Sequence, residues 1–155
     1  MLLALPQRLI KKLFATMTQD AASRSAAILG IADGLTIVIA LICGRNSAIF
    51  HPALDAGIGE FCGMAAALYL SATSTGRRLV PAFLCGLATL FGCVLPAIPY
   101  AVVAVDVARP VSAAIAIGLA ALVCRLRPEK GTIAVIETYG VLLVAGVLCF
   151  LVSLI

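Results

Sequence analysis

Residues 30–36 read Gly-Ile-Ala-Asp-Gly-Leu-Thr, and they place one carboxylate, Asp33, inside an otherwise apolar run over 26–43. A run of this length predicts a helix that spans a membrane. An ionised side chain inside such a helix costs about 2.5 to 3.5 kcal/mol on insertion scales, so it is rarely left facing lipid. We therefore expect Asp33 to have a partner. The same reasoning applies to Glu60 and Glu137, which lie in later apolar runs.

The composition identifies an integral membrane protein. Of the 155 residues, 63% are hydrophobic and only 12% are charged, whereas a soluble domain has about 25% charged residues. This length accommodates about five spanning helices and no separate soluble catalytic domain. The chain contains no HExxH, GxSxG or P-loop motif. We predict that it is not an enzyme, has no resident cofactor and binds no nucleic acid.

The apolar runs and the turn-forming residues between them predict an all-α bundle of five transmembrane helices. Pro96 and Pro99 are expected to break the end of the third helix and to release backbone carbonyls. The predicted helices cover 26–43, 52–72, 79–98, 107–124 and 132–155.

The N-terminal residues predict a different kind of helix. Leucines and other apolar residues recur at helical spacing opposite Arg8, Lys11 and Lys12, which is typical of an amphipathic helix at the cytoplasmic lipid headgroups. A signal peptide does not fit, because the basic residues follow the first leucines and no cleavage pattern comes before Asp20. Residues 1–23 are thus assigned to this interfacial helix, and residues 24–155 to a five-helix transmembrane domain.

The basic residues predict the orientation of the bundle. Five spans put nine of them on one side and only Arg45 and Arg109 on the other, so the positive-inside rule places the N-terminus in the cytoplasm and the C-terminus outside. A bacterial plasma membrane is the predicted location. The nine are Arg8, Lys11, Lys12, Arg24, Arg77, Arg78, Arg125, Arg127 and Lys130.

The intramembrane acids predict a path for cations. Asp33 lies nine residues after Arg24, and Glu60 lies nine residues after His51, so the two acids reach comparable depths on antiparallel helices. Glu137 is expected in the cytoplasmic half. Two adjacent carboxylates repel, so one takes up a proton. A divalent cation replaces that proton, and metal-for-proton exchange follows from the arrangement.

Met64 lies one turn after Glu60 on the same helix face, with Cys62 nearby. Carboxylate and sulfur ligands together suit Fe²⁺ or a similar transition metal better than Mg²⁺ or Ca²⁺. Other interpretations fit the same residues. The acids could form structural hydrogen bonds between helices, Met64 could be a packing residue, and His51 fits an interfacial loop.

Six cysteines lie singly in or beside the apolar runs, with no CxxC pair, so their spacing predicts no disulfide and no zinc site. We interpret them as packing residues, although a thiol on the path could add a soft ligand. Small-xxx-small pairs, which permit close helix contacts, occur at Gly30 and Gly34, Gly59 and Gly63, and Ala116 and Ala120. With no internal repeat, symmetry would come from a second copy.

Three motifs resemble the vacuolar iron transporter family. The Asp-Gly-Leu at 33–35 resembles the metal-path element of that family's first helix, and 56–60 (Ala-Gly-Ile-Gly-Glu) looks like its second helix. Residues 92–100 are similar to its third helix, which ends in Pro-x-x-Pro-Tyr. The likeness covers most of the chain from Arg24 onward.

The resemblance implies a homodimer that exports Fe²⁺, and often Mn²⁺, from the cytoplasm in exchange for protons, along a path between the two copies. Asp33 and Glu60 correspond to path ligands, and Gly34 belongs to the same element. The family's second-helix methionine falls near Leu68 here, one turn beyond Met64. Tyr100 corresponds to the Pro-Tyr position and is expected to line the path.

The chain departs from the family between the second and third helices. Many members carry a cytoplasmic metal-collecting domain there, whereas this chain has only a short connection over 71–78. Glu137 is a candidate additional ligand near the entrance. The expected partners are thus a divalent metal ion, protons, membrane lipid and a second copy. The competing functions are a membrane scaffold that transports nothing and a transporter of another cation.

Overall fold

The computed structural model describes residues 21–43, 48–71, 79–128, 131–152 and 154. These residues form six helices and no strand, which confirms the predicted all-α class. The helices are α1 (Ala21–Cys43), α2 (Phe50–Ser71), α3 (Leu79–Ala97), α4 (Pro99–Val102), α5 (Val105–Leu126) and α6 (Thr132–Val152).

Five of these helices are long and apolar enough to cross a membrane, namely all except α4. Their bounds lie close to the predicted ones, although α1 already includes residues 21–25 and α5 extends two residues further at each end. The predicted interfacial helix falls almost entirely outside the described residues. Its last three residues, 21–23, belong to α1, so the domain boundary proposed after residue 23 falls inside a helix.

Helix α3 lies at the centre of the bundle and packs most extensively on α1 and then on α2. Glycines make both contacts close. A Cβ atom at Gly30 or Gly34 would overlap backbone atoms of α3, and a Cβ at Gly86 would overlap the backbone carbonyl of Phe61 on α2. Without side chains at these positions, the helix backbones come into direct contact.

The glycine contacts also fix the direction of the helices. Gly30 meets Cys85 and Gly34 meets Cys93, so α1 and α3 run parallel. In the α2–α3 contact the order is reversed, because Gly57 lies against Val94 whereas Gly86 lies against Phe61 and Ala65. Helices α2 and α3 are therefore antiparallel, as the up-and-down topology of five spans requires.

The two prolines end α3 as predicted. Pro96 lies in its last turn, and Pro99 begins the short helix α4. Pro99 has no N–H to donate, so the regular bonding pattern cannot continue. The carbonyl of Pro96 accepts a hydrogen bond from the buried hydroxyl of Ser112. This bond attaches α5 to the break between α3 and α4, a segment that the sequence predicted only as a kink or an end.

Candidate functional site

Asp33 and Glu60 lie at the same depth in the middle of the bundle. Asp33 is between Gly30 and Gly34, whose contacts on α3 cover residues 85–93. Glu60 is between Gly57 and Phe61, which meet α3 over residues 86–94. Both acids are thus level with the same turns of α3, as the count of residues from the helix ends predicted.

The two carboxylates also influence each other electrostatically. The thiols of Cys85 and Cys93 are within electrostatic range of Asp33. Cys93 donates a hydrogen bond of 3.1 Å to the backbone carbonyl of Ala53. Helices α1, α2 and α3 therefore bring the two acids to one level of the bundle, and the two thiols of α3 lie above and below that level, about two turns apart.

The carboxylate of Asp33 is incompletely satisfied. Its Oδ2 atom is buried and has no hydrogen-bond partner among the described residues. Thr36, one turn along α1, donates to the Asp33 backbone carbonyl at 2.7 Å and not to the side chain. A buried polar atom without a partner costs about 1 to 3 kcal/mol. The position therefore favours an additional donor, proton or cation.

Glu60 faces the outside of the single chain. It lies on an exposed face of α2 together with Gly59, Gly63 and Ala67. Its Oε2 atom is 3.9 Å from the position that a Cβ would take at Gly63, so the side chain runs along its own helix. A Cβ at Gly59 would meet nothing within 4 Å. This face of α2, which we call the small-residue face, carries an acid at mid-membrane depth.

The remaining predicted site residues fall into different surroundings. Met64 and Leu68 follow Glu60 by one and two turns and are both half-buried. Gly34 is in close contact with the backbone of Thr89 and Gly92. Its surroundings are those of a packing residue, and this contact leaves no room for a path beside it on the α3 side.

Glu137 is paired with an arginine, a contact that the sequence pattern did not predict. Its carboxylate forms an ion pair with Arg127, and the same guanidinium donates to Thr138 at 3.3 Å. The glutamate side chain is 53% exposed, against 21% for the arginine. Since Arg127 follows α5 directly and Glu137 is on the second turn of α6, the antiparallel hairpin of these helices brings them together.

Tyr100 lies on α4, beyond the end of α3. Its hydroxyl is buried and has no hydrogen-bond partner among the residues the structure describes. Burial raises the pKa of the phenol above its ordinary value, and the positive charge of Arg109 partly opposes this increase. Because Tyr100 follows the end of α3, it lies about two helical turns beyond the level of the acids, at the end of the bundle opposite Arg127.

Two cavities lie on the other side of α1. One has a volume of about 350 Å³ between α1, α5 and α6, with apolar walls and with Arg127, Glu137 and Thr138 among its lining residues. The second, of about 360 Å³, is lined by residues of the same three helices, including Tyr139. Neither cavity is lined by Asp33 or Glu60.

Over the described parts of the chain, no group of three or more His, Cys, Asp or Glu side chains could hold a metal ion. Asp33 and Glu60 thus form a pair of acids, and Glu137 does not join them. His51, at the start of α2, is exposed and packs edge-on against Phe50. His51 thus lies in the first turn of a helix and not in the loop that the sequence predicted.

No protein-family model, curated protein or solved structure matches this chain significantly.

Proposed function

We propose that the protein is a membrane transporter that exports a divalent transition metal, Fe²⁺ or Mn²⁺, from the cytoplasm in exchange for protons. The observation that carries the proposal is the pairing of Asp33 and Glu60 at one depth in the middle of two spans. Two acidic side chains are costly to place inside a membrane. Intramembrane acids commonly mark ion and proton pathways.

The exchange follows from electrostatics. Two neighbouring carboxylates cannot both stay ionised at low cost, so the metal-free pair holds a proton. A divalent cation neutralises both charges and displaces the proton. The unpartnered Oδ2 of Asp33 supports this assignment. A buried carboxylate oxygen without a donor can bind a proton in one state and the metal in the other. Met64 is the candidate soft ligand one turn from Glu60.

Two acids from one chain are too few ligands for a divalent ion, which takes about four to six. We therefore propose that two copies associate through the small-residue face of α2 and each supply Asp33 and Glu60. This arrangement also removes Glu60 from lipid. Among the three small-residue pairs, Gly59 and Gly63 support this role, because Gly30 and Gly34 are used inside the chain.

The same proposal assigns an orientation. Arg24, Arg125 and Arg127 lie at the end of the bundle where α1 begins and α5 ends, and an excess of basic residues marks the cytoplasmic side. We place the N-terminus in the cytoplasm and the protein in a bacterial plasma membrane. Glu137 is not included among the proposed ligands, since its carboxylate is paired with Arg127.

Transport is tested with purified protein in liposomes that contain a pH-sensitive dye. An inward Mn²⁺ or Fe²⁺ gradient should drive protons outward in the parent, and Asp33→Asn and Glu60→Gln should each abolish the movement of both ions. Asp55→Asn is the matched control, because this acid lies on the same helix but is exposed near its outer end. The proposal fails if neither metal moves, or if all three variants behave like the parent.

The dimer is tested separately by light scattering in detergent. Gly59→Leu should convert dimers into monomers, since the new side chain has open space in the single chain and would obstruct a partner helix. Gly140→Leu on α6 is the control, because a Cβ there also meets nothing within 4 Å. A Gly59→Leu protein that remains dimeric would exclude this face as the interface.

A further inference from the structure

Two of the six cysteines lie together at the end of the bundle opposite Arg127. Cys43 is the last residue of α1, and Cys149 is in the last turn of α6. Both side chains are half-buried, and they lie within electrostatic range of each other. In the sequence, 105 residues separate them, so spacing along the chain gave no indication of the pair.

The packing of α1 on α6 explains why they meet. The helices run parallel, and Gly146 of α6 lies against α1. A Cβ atom there would be 3.2 Å from Ile39 and 3.8 Å from the sulfur of Cys43. Cys149 follows Gly146 by three residues, which places it on the same face of α6. Because Cys43 likewise follows Ile39 by one turn, both helices reach their cysteines at the same level.

The other thiols have different surroundings. Cys85 and Cys93 are buried, and Cys93 bonds to Ala53. Cys124 donates to the carbonyl of Ala134 at 3.7 Å, and Cys62 is exposed on α2. Among the cysteines that the structure describes, Cys43 and Cys149 thus combine three features. Each has the other thiol nearby, each is partly exposed, and each lies at the end of a span.

We propose that Cys43 and Cys149 are an oxidation site that closes to a disulfide between α1 and α6. The oxidant is a small-molecule disulfide. The Cys43 thiolate attacks one of its sulfurs, which forms a mixed disulfide and releases one thiol. The Cys149 thiolate then attacks the Cys43 sulfur and releases the second thiol. Two protein thiols are oxidised, one disulfide is reduced, and both protons end on the released thiols.

The reaction is tested on the purified full chain in detergent with dithiodipyridine as oxidant. Free thiols are then blocked with N-ethylmaleimide, and the intact and digested masses are measured. At Cys43 and Cys149 the parent should lose both maleimide additions without retaining thiopyridine, and a cross-linked peptide should join these two cysteines, whereas an accessible single thiol such as Cys62 retains thiopyridine. In Cys43→Ser and Cys149→Ser, the remaining partner has no second thiol and should retain one thiopyridine. Cys124→Ser is the control and should react like the parent.

The cross-linked peptide of the parent does not depend on any variant, so a poorly folded variant cannot obscure the result. The proposal is overturned if the parent retains thiopyridine on Cys43 or Cys149. It is equally overturned if both cysteines stay unreacted, or if the disulfide joins other cysteines or two chains. Since this test involves no metal or proton movement, its outcome is independent of the transport proposal.

Discussion

Replacing Gly34 with alanine tests the contact on which the fold and the placement of Asp33 depend. A Cβ atom there would overlap the backbone carbonyl of Thr89, and it would lie 2.7 Å from the backbone nitrogen of Cys93. These are backbone atoms of α3, so no flexible side chain can move aside. To relieve the overlap, the helices must separate by roughly 1 Å, and a gap of this size forfeits up to about half of the dispersion energy of the contacting atoms.

The expected cost of this substitution is about 1 to 3 kcal/mol, the usual range for overpacking a close contact. Alanine also gains up to about 1 kcal/mol of helix propensity over glycine. Gly118→Ala on α5 is the matched control, since it has the same propensity gain and nothing within 4 Å of the new Cβ. The two variants should therefore differ by roughly 5- to 150-fold in the unfolding equilibrium constant.

The assay is reversible unfolding in mixed detergent and dodecyl sulfate micelles, followed by far-ultraviolet circular dichroism. Gly34→Ala should unfold at a lower dodecyl sulfate fraction than the parent, whereas Gly118→Ala should unfold at the same fraction or a higher one. If Gly34→Ala and Gly118→Ala are equally stable, α1 and α3 are not in direct backbone contact at Gly34. The placement of Asp33 level with Glu60 would then lose its basis.

Three further predictions use the same unfolding assay. Ser112→Ala should cost about 1 to 3 kcal/mol, because it leaves the buried carbonyl of Pro96 without its donor; an unchanged midpoint would contradict the role of this bond. Glu137→Gln should cost no more than about 1 kcal/mol, since the glutamate side of its ion pair with Arg127 is half exposed, and a larger loss would show that the pair is structurally essential. Tyr100→Phe tests how the stability of the fold depends on pH. Since burial raises the folded-state pKa of this phenol above its value of 10.0, its stabilising contribution is fully present below pH 10 and is lost as pH rises through the raised pKa. The parent should lose stability at alkaline pH more steeply than Tyr100→Phe, and equal pH profiles would contradict burial of the hydroxyl.

The spanning helices were predictable because each one corresponds to a single apolar run in the sequence. Asp33 and Glu60 were expected at similar depths from residue counts alone, and the helix contacts place them so. Helix α4 was not predicted, because the sequence around Pro96 and Pro99 indicates only that a regular helix stops. Whether a new turn of helix forms after such a break depends on neighbouring segments, here the hydroxyl of Ser112 on α5.

The partners of individual side chains were less predictable than the helices. Glu137 was interpreted as an entrance ligand, but the antiparallel arrangement of α5 and α6 gives it Arg127 as a neighbour. Arg127 lies at the end of α5, ten residues before Glu137, and this spacing across a helical hairpin permits an ion pair. The charge pattern alone did not distinguish such a pair from a metal ligand. The use of Gly30 and Gly34 inside the chain likewise depends on which helix packs there, which the sequence does not specify.

The most direct test of the central claim is the binding of Mn²⁺ to the purified protein with simultaneous measurement of proton release in weakly buffered solution. If Asp33 and Glu60 exchange a proton for the metal, each Mn²⁺ bound should release at least one proton. Asp33→Asn and Glu60→Gln should lose both signals, whereas Asp55→Asn should keep them. If Mn²⁺ binds without proton release, or if it binds equally to all the variants, these two acids are not the exchange site.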